Sequence, residues 1–197
     1  MNINAPHLQP TTTAAEGLPR RRFTVVDVER MTAAGILAED ERIELIGGEV
    51  VPMSPRGRHH EILKIALMHY WARILPNDLL FATETMFRLN EDTFVEPDFV
   101  FYPKASGWDG INPQSVRLVI EVSDSSLGYD LGRKADLYGA YGIVELWVID
   151  AVRLKTRIHR DPSPEGYRYK GDFEPGDRLL PQLMPSLAVI LSELDLR

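Results

Sequence analysis

The segment 116–150 constrains the fold of this chain more than any other. An apolar run at 116–123 predicts a buried strand, and a second apolar run at 144–150 predicts another. Between them lie a polar turn and a short segment with helical spacing. A strand, a crossover helix and a second strand are typical of a parallel pair. We therefore expect an α/β fold built around this unit.

Glu121 is the residue of this unit that most needs an explanation. It lies near the end of a strand that is otherwise almost wholly apolar. Side chains alternate between the two faces of a strand, so Glu121 shares a face with Val119 and Ser123. Burying an unpaired carboxylate costs several kcal/mol. We expect a metal ion, a basic side chain or a backbone donor to accompany it.

Length and composition limit the domain organisation and the chemistry. The chain has 197 residues and no cysteine, which fits one domain with an appended segment and excludes a disulfide, a thiolate metal site and a cysteine nucleophile. Residues 1–22 lack a periodic apolar pattern, so we predict a flexible N-terminal arm there and a single domain at 23–197.

Charge and hydropathy indicate the environment. No apolar run reaches the ~20 residues of a membrane span, and the N-terminus lacks an apolar secretory core. We therefore expect a cytoplasmic protein without membrane contact. The formal net charge of −7 argues against a general nucleic-acid coat protein. It is compatible with an enzyme that acts on nucleic acid at a local basic groove.

The remaining segments predict further elements of the fold. Thr24 and Asp27 have the spacing of a capping box at the start of a helix, and Gly47-Gly48 predicts a hairpin turn between two short strands. The spacing of apolar residues predicts a helix from His59 or His60 to about Leu75. We predict strands at 79–89 and 94–102, an antiparallel meander at 155–160, 167–173 and 177–180, and a final segment, 187–194, that packs on the core.

Four charged residues are candidates for a functional site: Glu44, Asp98, Glu121 and Lys134. Carboxylates near the ends of neighbouring strands form a hard-oxygen site suited to Mg²⁺ or Mn²⁺. A lysine beside such a site can orient the attacking water. Spacing alone also fits ordinary surface residues, with Glu44 facing solvent and Lys134 in a helix-surface ion pair with Asp130.

The order of these motifs resembles a known superfamily. Pro97-Asp98, followed by Glu121-Val122-Ser123 on an apolar strand, resembles the core of the PD-(D/E)XK nucleases. The resemblance is closer to one member group, the Uma-two family of "putative restriction endonucleases". The matching motifs extend from about residue 23 to the C-terminal strands: Glu44 to Val50, Met53-Ser54-Pro55 with His59 shortly after, Glu96-Pro97-Asp98, Leu118 to Ser123, Asp130, Lys134, Tyr138 and Glu145 to Asp150.

This resemblance implies a fold and a set of site residues. The fold is a restriction-endonuclease-like mixed β-sheet flanked by helices, with an antiparallel C-terminal meander. Asp98 and Glu121 would bind Mg²⁺ or Mn²⁺, with the Val122 carbonyl as a third ligand and Glu44 completing the acidic pocket or binding a second ion. Lys134 would position the attacking water.

The sequence departs from the superfamily pattern at one position. The superfamily places a lysine two residues after the second acid, and Ser123 stands there. In the group that this chain resembles, a helix lysine takes over that role, and Lys134 is at the matching position. The histidine of the motif is less well defined, because His59 and His60 are neighbours and a histidine at a helix start is often a cap or surface residue. Tyr138 and Trp147 are interpreted as core residues.

These observations support three functional hypotheses. The first is a metal-dependent endonuclease that hydrolyses DNA phosphodiester bonds, acting as a homodimer because a symmetric dimer most easily cuts both strands of a duplex. The second is a non-catalytic nuclease-fold module that binds nucleic acid or protein, favoured by the acidic net charge and by Ser123. The third is a metal-dependent hydrolase for another substrate.

Overall fold

The structure is a computed structural model that describes residues 21–197. The predicted N-terminal arm, 1–22, lies outside the described residues except for its last two. The described chain forms two compact units, which are treated separately below. The first comprises the chain up to Met53 together with Met86–Glu96, and the second comprises Ser54–Thr85 together with Pro97–Arg197. The single domain predicted for 23–197 stays a prediction.

The elements follow one another in this order along the chain: α1 (Val25–Ala33), β1 (Ile43–Ile46), β2 (Glu49–Pro52), α2 (Arg58–Ile74), β3 (Leu79–Ala82), β4 (Phe87–Arg88), β5 (Phe94–Val95), β6 (Phe99–Pro103), β7 (Leu118–Ser123), α3 (Leu127–Tyr129), a π-helical turn (Asp130–Lys134), α4 (Ala135–Ala140), β8 (Glu145–Asp150), β9 (Thr156–Ser163) and β10 (Gly166–Phe173). Among these described residues, no helix is both long enough and apolar enough to cross a membrane.

The first unit combines α1 with a four-stranded antiparallel sheet in the order β2-β1-β5-β4. The predicted capping box is confirmed, because the Asp27 amide donates to Thr24 Oγ1 at 3.1 Å and the Thr24 amide donates to Asp27 Oδ2 at 3.0 Å. The predicted hairpin turn is also confirmed. Gly47 and Gly48 have φ of 58° and 81°, which this tight turn requires.

The second unit contains a six-stranded sheet in the order β10-β9-β8-β7-β6-β3. Strands β7 and β8 are parallel, with Glu121 beside Val148, and the other neighbouring pairs are antiparallel. The predicted parallel pair and the mixed sheet are therefore confirmed. Strands β8, β9 and β10 form the antiparallel meander.

One face of this sheet carries the main core. Trp71 of α2 contacts the rings of Phe99 and Phe101 edge-on, at centroid distances of 5.2 and 5.1 Å. The C-terminal segment also packs here, as predicted. Further core residues come from α2, β7, β8 and the C-terminal segment: Leu63, Leu67, Leu118, Ile120, Val122, Trp147, Ile149, Leu187, Val189 and Leu191. Because Leu118, Ile120 and Val122 face this core, Glu121 faces the opposite side of the sheet.

Two predicted strands are each divided in two. The predicted strand 79–89 consists of β3 and β4, which belong to different sheets, and 94–102 consists of β5 and β6. Glu84 interrupts the first with φ of 50°, and Pro97 interrupts the second because it has no amide donor for the ladder. The predicted strand at 177–180 is wrong, since only Leu179 pairs there, with Val189.

A buried histidine on β9 predicts how stability depends on pH. His159 is fully buried, and neither ring nitrogen has a hydrogen-bond partner in the described part of the chain. Burial, assisted by the charges of Lys170 and Arg157, lowers the pKa of His159 from 6.5 to about 4. Below pH 6.5 the unfolded chain therefore binds a proton that the folded protein does not, so the free energy of unfolding decreases as the pH is lowered. The loss approaches about 3 kcal/mol near pH 4.

We expect His159→Leu to remove this part of the pH dependence. The measurement is urea unfolding of the wild type and the variant at pH 7.5 and pH 4.5. Other titrating groups affect both proteins equally, so the difference between their pH dependences isolates His159. Identical pH dependences in the two proteins would show that His159 stays accessible to protons in the folded state.

Candidate active site

The carboxylate of Glu121 is buried and held by two side chains of the following helical segment. Lys134 Nζ lies 3.0 Å from Glu121 Oε1, and the Tyr138 hydroxyl donates to the same oxygen at 2.6 Å. The Glu121 and Lys134 side chains are only 5% and 4% exposed. A basic side chain therefore accompanies this carboxylate, as its burial required.

A π-helical turn connects Lys134 to the strand that carries Glu121. The turn spans Asp130–Lys134, and both of these end residues are buried. Asp130 Oδ2 accepts hydrogen bonds from Ser123 Oγ at 2.7 Å and from Ser126 Oγ at 2.5 Å. Ser123, at the position of the missing lysine, thus anchors the turn that carries Lys134. Single π-turns inside helices occur frequently at functional sites.

The buried positions of Asp130 and Lys134 contradict their interpretation as a surface ion pair. Burial raises the pKa of Asp130 above its usual value, although the Lys134 charge and the two serine hydroxyls act in the opposite direction. The negative charge of Asp98 contributes to the increase, so Asp98 and Asp130 belong to one electrostatic environment.

Asp98 lies at the same end of the sheet as Glu121. Strands β6 and β7 pair with Phe99 beside Ile120, and Asp98 immediately precedes β6. The Val122 amide donates to Asp98 Oδ2 at 2.7 Å. The Asp98 carboxylate therefore lies against the backbone of β7 at the residue that follows Glu121.

His60, rather than His59, contacts Asp98. His60 Nε2 lies 2.7 Å from Asp98 Oδ1. Burial lowers the pKa of His60, but the hydrogen bond and the charge of Asp98 outweigh it, so the pKa is raised above 6.5. The His59 side chain is 60% exposed, with Nδ1 3.7 Å from Asp124 Oδ2.

The sequence contained a signal for His60 that the interpretation did not use. Helical spacing places His60 on the same face of α2 as its buried residues Leu63, Leu67 and Trp71. His59 is four residues before Leu63, but it lies farther around the helix from Leu67 and Trp71 than His60 does.

A network of charged side chains extends from His60 along the first turns of α2. His60 Nδ1 lies 3.1 Å from Glu61 Oε1, and Lys64 Nζ lies 2.9 Å from Glu61 Oε2. Lys64 also contacts Glu84, and Arg56 Nη2 lies 2.8 Å from Glu84 Oε1. The sequence interpretation did not include these residues, because no spacing rule connects Glu84 with Arg56 and Lys64.

The other predicted site residues have different outcomes. Glu44 is buried, at 3% exposure, and accepts a hydrogen bond from the Glu96 amide at 3.2 Å within the first unit. Its interpretation as a solvent-facing residue is therefore wrong, while its metal-binding role and that of the Val122 carbonyl stay predictions. Trp147 is a core residue, as interpreted. Tyr138 is buried like a core residue, but it also holds Glu121.

The chemistry of the two acids fits a magnesium or manganese ion. Both ions prefer carboxylate oxygens, and Mg²⁺ is commonly held by only one or two carboxylates. Asp98 and Glu121 provide such a pair. Across residues 21–197, no group of three or more acidic or histidine side chains is arranged to hold a metal. Metal binding by Asp98 and Glu121 therefore stays a prediction.

Comparison with known proteins shows the fold and the family of this chain. A solved structure with a similar fold is the putative nuclease belonging to DUF820 from Anabaena variabilis, which is 16% identical with a TM-score of 0.62. The match covers 78% of this chain and 89% of that one. No curated protein matches the chain. The Uma2 family model, described as "putative restriction endonuclease", matches residues 26–195. The chain therefore belongs to the Uma2 family, which supports a nuclease function.

The buried contact between Glu121 and Lys134 predicts a strong dependence of stability on both charges. Lys134→Met removes the cation beside a buried carboxylate, so we expect the free energy of unfolding to fall by about 3 kcal/mol. The double variant Glu121→Gln/Lys134→Met lacks both charges and should recover part of that loss. Urea unfolding of the wild type, the two single variants and the double variant measures this coupling. Strictly additive losses would mean that the two charges do not stabilise each other.

Proposed function

We propose that this protein is a Mg²⁺- or Mn²⁺-dependent endonuclease that hydrolyses phosphodiester bonds of DNA. Its membership of the Uma2 family supports the reaction class and the substrate. The observation that carries the proposal is the contact of the Lys134 ammonium with Glu121, beside Asp98, at one end of the central strands.

Asp98 and Glu121 would hold the metal ion. The other contacts of these acids orient them: the Val122 amide and His60 fix Asp98, and Tyr138 fixes Glu121. A metal ion bound there would neutralise charge on a phosphoryl oxygen and lower the pKa of a bound water. In this proposal the Val122 carbonyl is a further ligand.

Lys134 would supply the fixed positive charge of the reaction. Its ammonium group is buried and already oriented by Glu121, so little reorganisation precedes the reaction. It would donate a hydrogen bond to the attacking water and stabilise the negative charge that develops on the phosphate. This is the task of the superfamily lysine whose position Ser123 occupies.

The non-catalytic alternative rested on Ser123 and on the acidic net charge. Ser123 now has a different role, since it donates to Asp130 and anchors the helical turn that carries Lys134. The positive charge that a lysine at position 123 would have supplied therefore comes from Lys134, next to Glu121. For this reason we favour the enzyme over the non-catalytic module. We further propose a cytoplasmic homodimer, in which two symmetric sites cut the two strands of a duplex.

Conservative substitutions of the site residues test this function. Asp98→Asn and Glu121→Gln remove the charge while keeping the size of the side chain, and Lys134→Gln removes the charge with a side chain one atom shorter. We expect each to reduce plasmid nicking in Mg²⁺ by about 10²–10³-fold, because each removes electrostatic stabilisation of the transition state. Thermal unfolding of the same samples checks that each variant is folded.

A matched control is Asp195→Asn, which makes the same chemical change at an exposed pair with Arg197. This variant should nick at the wild-type rate. Folded Asp98→Asn or Glu121→Gln that nicks as fast as the control would contradict the proposed site.

A further inference from the structure

Two cations and two carboxylates form a cluster next to the candidate active site. Arg56 and Lys64 both approach Glu61, at 3.8 and 2.9 Å. Both also contact a second carboxylate, Glu84, and Arg56 Nη2 lies 2.8 Å from Glu84 Oε1. Lys64 is buried, with 8% exposure, while the side chains of Arg56 and Glu84 are 28% and 25% exposed. The cluster is therefore partly open to solvent on the side of Arg56 and Glu84.

The cluster is linked to Asp98 by a short series of contacts. Lys64 contacts Glu61, Glu61 contacts His60, and His60 contacts Asp98, at 2.9, 3.1 and 2.7 Å. Lys64 follows His60 by four residues, so the two side chains are neighbours on one face of α2.

The backbone of Glu84 indicates that this carboxylate has a role beyond stability. Its φ of 50° is in the left-handed region, which costs a residue other than glycine about 1 kcal/mol or more. Ion pairs that are open to water contribute little to stability, and replacing a whole buried ion pair by well-packed apolar residues is often neutral. Stability alone therefore does not explain why a strained glutamate holds two cations at this position.

The contacts made by Glu84 resemble those of a bound phosphate. Its carboxylate oxygen receives an arginine and a lysine together, and these are the side chains that most often contact DNA phosphates. Arginine in particular matches carboxylate and phosphate oxygens with the same planar set of donors.

We propose that Arg56 and Lys64 bind the backbone phosphate adjacent to the scissile one. In the DNA-free protein the Glu84 carboxylate occupies the position of that phosphate's oxygens, and it leaves the two cations when DNA binds. This inference rests on the proposed nuclease function and adds a substrate-binding site to it. It makes Glu84 an internal competitor of the substrate.

The test is DNA binding by charge-matched variants in EDTA, where cleavage does not occur. Glu84→Gln removes the competitor, so it should bind a short fluorescein-labelled duplex more tightly than the wild type. Glu174→Gln is the matched control, because Glu174 pairs with Lys155 at 2.7 Å on an exposed part of the same unit. Both variants change the net charge equally. We expect Glu84→Gln to bind at least about threefold more tightly than Glu174→Gln.

Arg56→Gln tests the same site by removing one of the two cations that would bind the phosphate. Loss of one phosphate contact should weaken binding about tenfold at 0.1 M salt and reduce the slope of log Kd against log salt by about one. Thermal unfolding of each variant is measured in parallel. Arg56→Gln keeps the test decisive if Glu84→Gln does not fold.

The outcomes separate this inference from the proposed function. Folded Glu84→Gln that binds DNA no better than Glu174→Gln would overturn the competitor role. Arg56→Gln with wild-type affinity and salt slope would overturn the phosphate site. Either result leaves Mg²⁺-dependent nicking by the wild type intact as a separate readout. A wild type that nicks no DNA and binds none would overturn both proposals together.

Discussion

The buried contact between Glu121 and Lys134 is the interaction on which the second unit's functional end depends. A carboxylate in the middle of a six-stranded sheet must be neutralised where it lies. The cation cannot come from β7 itself, because the position two residues later holds Ser123. It comes from the segment after the strand, and the segment reaches back because Ser123 and Ser126 hold Asp130. The need to neutralise the buried Glu121 carboxylate thus determines how β7, the π-helical turn and α4 pack against each other.

Charged side chains from several elements lie at the same end of the sheet. Antiparallel pairing brings the start of β6 to the end of β7, and the Asp98 carboxylate accepts a hydrogen bond from the Val122 amide, next to Glu121. The first turn of α2 supplies His60, and the contacts of His60 continue to Glu61 and Lys64. Each acid is held by a donor from another element before any ligand binds. Such preorganisation is what electrostatic catalysis requires.

The sequence predicted the parts of this arrangement that follow from local patterns. Burial of an apolar strand, a capping box and a Gly-Gly turn each have short-range signals, and the corresponding elements formed as expected. The placement of Asp98 and Glu121 at neighbouring strand ends also followed from the order of the strands. Strand divisions at Glu84 and Pro97 were missed because the apolar patterns continue across them, although the chain passes between two sheets.

Long-range contacts of polar side chains were beyond what the sequence pattern could predict. The choice of His60 over His59 depends on which face of α2 is buried, and the convergence of Arg56 and Lys64 on Glu84 depends on a left-handed backbone conformation. The sequence correctly predicted that Tyr138 is a core residue. It gave no indication that the Tyr138 hydroxyl donates a hydrogen bond to Glu121.

The most direct measurement of the central claim is a calorimetric titration of Mg²⁺ into the wild type and into Glu121→Gln. If Asp98 and Glu121 form the metal site, the wild type binds the ion with measurable heat and the folded variant does not. Equal binding by both proteins, or no binding by the wild type, would contradict the claim that the buried acidic pair beside Lys134 is a metal-dependent catalytic centre.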